Sequence, residues 1–131
     1  MDTLIEWSEE YSVNCSEIDE QHKVLFDLIN QLYSKFSDTD KDTILDILNE
    51  LYKYTDEHFR TEEVLFDIYK YPYTEEHKKE HKDFVDKVAE FTKKFEEGDE
   101  MLTFDILFFL KDWIIEHILY SDRKYIDYLC K

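Results

Sequence analysis

Two pairs of potential metal ligands, each pair four residues apart, flank a proline-centred break in the middle of the chain. His58 and Glu62 form the first pair, and His77 and His81 form the second. Residues four apart on an α-helix stack on one face, so each pair can bind one metal ion. Pro72 disfavours helix in the residue before it and cannot donate a backbone hydrogen bond inside one. The stretch therefore predicts a helix, a turn and a second helix, with the two ligand pairs facing each other.

Apolar residues recur at alternating steps of three and four along four long segments, which is the pattern of helices that bury one face. The chain has only one glycine and one proline, which leaves few positions for tight hairpins. We predict an all-α protein, an up-down-up-down four-helix bundle formed by one domain over residues 1–131. The predicted helices span about residues 19–37, 41–66, 74–97 and 103–121, after an N-terminal arm over residues 1–17.

Local signals suggest where these helices start and stop. Asp19 and Thr74 are the predicted N-caps of the first and third helices, because their side chains can accept hydrogen bonds from free backbone amides. Gly98 is the predicted end of the third helix. Residues 37–40 form a polar connector, and a short helical turn is expected after Asp122.

The charge balance excludes some classes of partner. Acidic residues number 33 against 16 basic residues, a formal net charge of −17. We expect no nucleic acid partner and no membrane partner, because this charge repels phosphates and anionic lipid headgroups. The N-terminus lacks the features of a signal peptide, and no apolar stretch is long enough to span a bilayer. These features predict a cytoplasmic protein.

The two cysteines lie near opposite ends of the chain. Cys15 and Cys130 form no CxxC motif, so they are predicted to be ordinary thiols of a reducing compartment. The alternative is a disulfide between them.

All five histidines of the chain fall on the apolar faces of the predicted helices, together with one carboxylate. Burying unpaired polar or charged groups is costly, so six of them in one core require a dense hydrogen-bond network or a shared metal. We favour a metal site. Its candidate ligands are His22, His58, Glu62, His77, His81 and His117.

The chemistry of these ligands narrows the choice of metal. Imidazole and carboxylate suit iron, zinc, copper or nickel, and the absence of cysteine argues against a structural zinc site. The number of ligands favours two ions. A zinc protease of the HExxH type is disfavoured, because Lys78 stands where the general-base glutamate belongs. Ferritin-like proteins use Glu-x-x-His pairs, and no histidine here has a glutamate three residues before it.

Asp122 is the weakest ligand candidate when spacing alone is considered. It follows His117 by five residues, which places it about 140° around a straight helix. Asp122 would reach the site only if the helix ends or distorts there. The alternative is a solvated carboxylate at the helix terminus.

Several separated motifs between Trp7 and about Tyr125 closely resemble those of the hemerythrins, especially the single-domain bacterial members. The family is one of non-haem proteins built on a four-helix bundle. The motifs that carry the resemblance are Ile18-Asp19-Glu20-Gln21-His22-Lys23, His58-Phe59-x-x-Glu62-Glu63, Tyr71-Pro72-x4-His77-x3-His81-x2-Phe84 and Trp113-x3-His117-Ile118-x3-Asp122-x2-Tyr125.

The resemblance implies a non-haem di-iron centre that binds dioxygen reversibly. Oxygen would bind at the iron that has only two histidine ligands. The implied ligands are His77, His81 and His117 for one iron and His22 and His58 for the other, with Glu62, Asp122 and an oxo or hydroxo group as bridges.

The resemblance also implies an apolar oxygen pocket formed by Phe59, Trp113, Ile114 and Ile118. An apolar wall keeps out the water and protons that promote loss of the bound ligand. The implied function is oxygen storage, transport or scavenging rather than catalysis. The alternatives are a di-iron redox enzyme, for peroxide or nitric oxide reduction, and an oxygen sensor. We expect a monomer, although no sequence feature determines the oligomeric state.

Overall fold

The described residues form four long helices, and the predicted all-α four-helix bundle is confirmed. The computed structural model describes residues 4–35, 41–98 and 102–129. Helix α1 spans Ser16–Ser34, α2 spans Lys41–Tyr69, α3 spans Thr74–Glu96 and α4 spans Leu102–Glu116. A π-helical turn at His117–Ser121, a 3-10 turn at Asp122–Tyr125 and a short helix α5 at Ile126–Leu129 follow α4. Among the described residues, no helix is both long and apolar enough to cross a membrane.

Each helix buries one face, as the apolar period requires. In α2, Leu48 and Leu51 are fully buried, and Thr55, His58 and Glu62 continue the same face. Burying one such aliphatic side chain stabilises the fold by about 1.5–3 kcal/mol. The apolar half of the bundle therefore provides the free energy that keeps the polar groups buried at the other end.

Neighbouring helices run antiparallel. In α3 and α4, Phe84 contacts Trp113 with ring centroids 4.3 Å apart, and Phe91 contacts Phe109 at 5.6 Å. The residue numbers rise along α3 as they fall along α4, so these two helices are antiparallel. Antiparallel packing brings the C-terminal half of α2 beside the N-terminal half of α3. The ligand pairs that flank Pro72 therefore lie at the same end of the bundle.

Helix α1 begins three residues earlier than predicted, because Asp19 stabilises the N-terminal arm and not the helix start. The Asp19 carboxylate accepts hydrogen bonds from Ser12 Oγ at 2.6 Å and from the Val13 amide at 2.9 Å. The N-cap position belongs to Cys15. The prediction of Asp19 as N-cap is therefore wrong, and this carboxylate ties the arm to α1.

The two ends of α3 differ in how well they were predicted. The N-cap is Tyr73 and not Thr74, because the Thr74 hydroxyl donates to the carbonyl of Tyr71 at 2.6 Å. At the other end Gly98 has φ +100, and its amide donates to the Phe95 carbonyl at 3.0 Å. This left-handed glycine ends the helix as predicted.

Cys15 is disulfide-bonded, so the prediction that it is an ordinary thiol is wrong. It packs against a small apolar cluster in which the N-terminal arm meets the segment after α4. The two ends of the sequence converge there, which spacing along the chain does not reveal. Cys130 and the predicted connector over residues 37–40 lie outside the described residues.

Candidate metal centre

All seven predicted ligands lie at one end of the bundle, and each is at most 4% exposed. Helices α1, α2 and α3 and the segment directly after α4 contribute, because the ligands continue the buried faces that form the apolar core. Helix α1 supplies His22, α2 supplies His58 and Glu62, α3 supplies His77 and His81, and the segment after α4 supplies His117 and Asp122.

Glu62 lies between two histidines from different helices. Its Oε1 is 3.4 Å from Nε2 of His58 and 3.3 Å from Nε2 of His81. The side chain is fully buried. Glu62 therefore faces one histidine from each side of Pro72.

Asp122 lies among the other three histidines. Its Oδ1 is 2.9 Å from Nε2 of His77 and 3.0 Å from Nε2 of His117. Its Oδ2 is 3.2 Å from Nε2 of His22. All five histidines thus direct the same ring atom, Nε2, at the two carboxylates.

The donor atoms fit metal ions better than a hydrogen-bond network. The contacts of the histidine Nε2 atoms with Glu62 and Asp122 lack hydrogen-bond geometry, so among the described residues no oxygen of these two fully buried carboxylates has a hydrogen-bond partner. Buried polar atoms are almost always hydrogen-bonded in proteins, so this cluster needs another partner. Imidazole nitrogens and carboxylate oxygens together suit iron. The atoms form two groups, each within 4.8 Å, that share Glu62: one with His77, His81, His117 and Asp122, and one with His22 and His58.

Carboxylates outside the cluster fix the orientation of two histidines. Nδ1 of His81 lies 2.9 Å from Oε2 of Glu63, and Nδ1 of His117 lies 3.1 Å from Oε1 of Glu80. Ser121 Oγ also donates to Glu80 Oε1 at 2.6 Å. A histidine that donates from Nδ1 presents the lone pair of Nε2 to a metal, and a carboxylate acceptor makes that lone pair more basic.

Gln21 plays the same part for His58, since its Oε1 lies 2.5 Å from His58 Nδ1. This role of Gln21, Glu63 and Glu80 is not predicted by the sequence patterns described above. One signal was available for two of them: Gln21 and Glu80 directly precede ligand histidines in the sequence. Adjacent residues on a helix point in different directions, however, so sequence alone does not show which histidine such a residue contacts.

The electrostatics of the cluster favour ionised carboxylates. Burial raises the pKa of both carboxyl groups, but the surrounding histidines outweigh it: the pKa of Glu62 falls to about 2, and that of Asp122 lies well below its usual range. Burial lowers the pKa of His58 to about 4. Burial also opposes a charge on His117, yet the Asp122 carboxylate raises its pKa to about 10.

The π-helical turn explains how Asp122 reaches the site. The Asp122 amide donates to the carbonyl of His117, five residues earlier and not four as in an α-helix. The extra residue is absorbed in the wider turn. Asp122 consequently occupies the face that the fourth residue after His117 would occupy in an α-helix. This distortion is what the spacing of the two residues required.

Two of the four predicted pocket residues contact histidines of the cluster, and the other two belong to the apolar core. Phe59 stacks on His81 with ring centroids 3.7 Å apart, and Trp113 stacks on His117 at 4.3 Å. Ile114 and Ile118 are buried, and Phe59 and both isoleucines belong to the main apolar core. Apolar side chains therefore border the cluster on its inner side, while half-buried Trp113 reaches toward the surface.

Comparison with known proteins agrees with the metal-binding geometry of the cluster. Residues 15–129 match the model of the hemerythrin HHE cation binding domain. The chain is 36% identical to a bacteriohemerythrin of Clostridium acetobutylicum, over 92% of this chain and 98% of that protein. It is 32% identical to myohemerythrin-1 of Phascolopsis gouldii, over 91% of this chain and 89% of that protein. A crystal structure of wild-type hemerythrin is 31% identical and superposes with a TM-score of 0.92, covering 98% of this chain and 99% of that one.

Proposed function

The chain belongs to the hemerythrin family, and from this premise we propose that it binds dioxygen reversibly, for storage, transport or scavenging. Membership of the family makes it a non-haem di-iron oxygen-binding protein. The observation that carries the proposal is the convergence of five histidine Nε2 atoms on two buried carboxylates that lack hydrogen-bond donors.

The ligands divide unequally between the two irons. We assign His77, His81 and His117 to one ion and His22 and His58 to the other, in agreement with the two groups of donor atoms. Glu62 belongs to both groups, and Asp122 also approaches His22 at 3.2 Å, so both carboxylates are suited to bridge the ions. The iron pair supplies the electrons and the coordination position that reversible oxygen binding needs. The side with two histidines has fewer protein ligands and is our proposed oxygen site.

The surrounding residues favour binding over turnover. Glu63 and Glu80 already accept hydrogen bonds from histidines of the cluster, so they hold ligands in place. Burial and the nearby Asp122 and Glu62 carboxylates raise the pKa of Tyr125 well above its usual value, so its phenol keeps its proton. A reductase for peroxide or nitric oxide would need an acid that delivers protons to the bound substrate. Oxygen sensing is the other alternative. The cytoplasmic location and the monomeric state stay predictions.

Repeated oxygenation tests the proposal. The protein is loaded with ferrous iron without oxygen, its iron content is measured, and its optical spectrum is followed while oxygen is admitted and then removed. We expect about two irons per chain, the number of ions in the proposed centre. Charge-transfer bands should appear with oxygen and disappear on its removal over several cycles.

Two results would count against the proposal. Bands that persist after oxygen is removed would indicate irreversible oxidation and favour a redox enzyme. Rapid consumption of hydrogen peroxide or nitric oxide by the reduced protein would support the same alternative. A His22→Ala variant serves as control, because it should remove the proposed oxygen-binding ion and with it the reversible bands.

A further inference from the structure

Three buried hydroxyls, those of Thr55, Tyr71 and Tyr125, have no hydrogen-bond partner among the described residues, and of these only Thr55 lies in one of the four long helices. Thr55 is 1% exposed, and within the described part of the chain its Oγ1 contacts neither a donor nor an acceptor. A buried hydroxyl normally finds a partner, because leaving it unpaired costs stability. Thr55 also lies on the apolar face of α2, where a valine of the same shape would fill the space without that cost.

Other helical threonines satisfy the same group locally. Thr61 Oγ1 donates to the Glu57 carbonyl at 3.1 Å, and Thr92 Oγ1 donates to the Val88 carbonyl at 2.8 Å. This bond to the carbonyl four residues earlier is the usual solution for threonine inside a helix. Thr55 does not make it, so its hydroxyl is left available to a partner outside the protein chain.

Thr55 lies about one helical turn from His58 along α2, on the side of the apolar core. His22 and His58 lie side by side, with ring centroids 4.7 Å apart, on the antiparallel helices α1 and α2. Thr55 precedes His58 by three residues, about 4.5 Å along the axis. Leu25 follows His22 by three residues and lies at the same depth. Thr55 is therefore next to the two-histidine side of the centre.

On the other helices, the described residues three positions from the histidines, on the side of the apolar core, are apolar. Phe84 follows His81 by three residues, and Ile114 precedes His117 by three. Leu25, Phe84 and Ile114 are all buried. Ile114 is also one of the four residues assigned to the oxygen pocket. Thr55 thus brings one hydroxyl into an otherwise apolar layer at the edge of that pocket.

We propose that the Thr55 hydroxyl donates a hydrogen bond to dioxygen held at the two-histidine side, and that this bond slows oxygen release. The inference rests on the proposed function, since it requires reversible oxygen binding. The geometry suits this role because the donor lies on the helix that carries His58, in surroundings that offer it no competing acceptor. Dioxygen that took electron density from bound irons would be a good hydrogen-bond acceptor.

Thr55→Val removes the hydroxyl and keeps the shape of the side chain. In the iron-loaded protein we expect oxygen release to become roughly two- to tenfold faster, the worth of one neutral hydrogen bond. The O–O stretching frequency of the bound ligand should shift as well. Thr55→Ser keeps the hydroxyl and should retain values close to those of the parent protein. Thr92→Val is the matched control, because that hydroxyl is already bonded within its helix and should not affect oxygen release.

A stability measurement separates this role from packing. In protein stripped of metal, Thr55→Val should unfold at an unchanged or higher temperature, because it removes an unpaired buried hydroxyl. Equal release rates and equal O–O frequencies in the parent and Thr55→Val proteins would overturn the inference while leaving the proposed function intact. A parent protein that fails to release oxygen on evacuation would contradict both.

Discussion

The π-helical turn after α4 gives the most specific prediction. If the turn is an α-helix that has accommodated one extra residue, shortening it should preserve the centre and lengthening it should destroy it. Tyr120 is the site for both changes, because its side chain is 69% exposed and contributes little packing. Deleting Tyr120 brings Asp122 to the fourth position after His117, about 40° away on a regular α-helix. Asp122 then faces the cluster without a π turn.

Inserting an alanine after Tyr120 has the opposite effect. An added residue rotates the following chain by about 100°, and a side-chain atom about 5 Å from the helix axis then moves by about 8 Å. The Asp122 oxygens lie only 2.9 to 3.2 Å from the Nε2 atoms of His22, His77 and His117. A displacement of this size removes Asp122 from the cluster entirely.

Iron content and helicity provide the assay. The deletion should bind about two irons per chain and the insertion about one or fewer, because one bridging carboxylate is lost. Tyr120→Ala should behave like the parent protein. Circular dichroism of the metal-stripped variants checks that all of them remain helical. An insertion variant that keeps both irons, or a folded deletion variant that loses them, would refute the explanation of how Asp122 reaches the site.

Three further predictions concern the ligands, the pocket and pH. His77→Ala should lower iron content and the unfolding temperature of the iron-loaded protein together, because metal binding contributes to folding free energy; a variant with both irons would contradict the assignment. Ile118→Thr should speed loss of reversible oxygen binding roughly tenfold, since it makes the apolar wall more polar, whereas Ile106→Thr, an equally buried position nearer the start of α4, should not. In protein stripped of metal, burial lowers the pKa of His117, but the Asp122 carboxylate outweighs burial and raises this pKa from 6.5 to about 10. Its stabilising effect is therefore complete below pH 6.5 and is lost as pH rises toward 10, and urea unfolding should show this loss in the parent protein but not in His117→Gln.

The helices and most of the site could be predicted from sequence because both follow one periodicity. The ligand pair of His58 and Glu62 continues the spacing of Leu48 and Leu51, so the period that predicts a buried helix face also predicts that the ligands converge. Gly98 was predictable for a local reason, since a left-handed residue after a helix favours glycine.

The features that sequence reasoning missed depend on contacts between distant segments. Asp19 has the side chain of an N-cap, but its carboxylate binds the arm at Ser12 and Val13 instead. The π turn is not apparent in the sequence His117–Ser121, and only the family resemblance included Asp122 among the ligands. Glu80 contacts His117 across two helices at 3.1 Å, a pairing that no spacing within α3 reveals.

Anomalous X-ray scattering from crystals of the iron-loaded protein is the most direct test of the di-iron centre. Data collected on either side of the iron absorption edge locate each ion without any assumption about its ligands. We expect two peaks at the cluster, one in contact with His77, His81 and His117 and the other with His22 and His58, with Glu62 and Asp122 between them. A single peak, or two peaks away from these side chains, would contradict the proposed centre and the oxygen-binding function that depends on it.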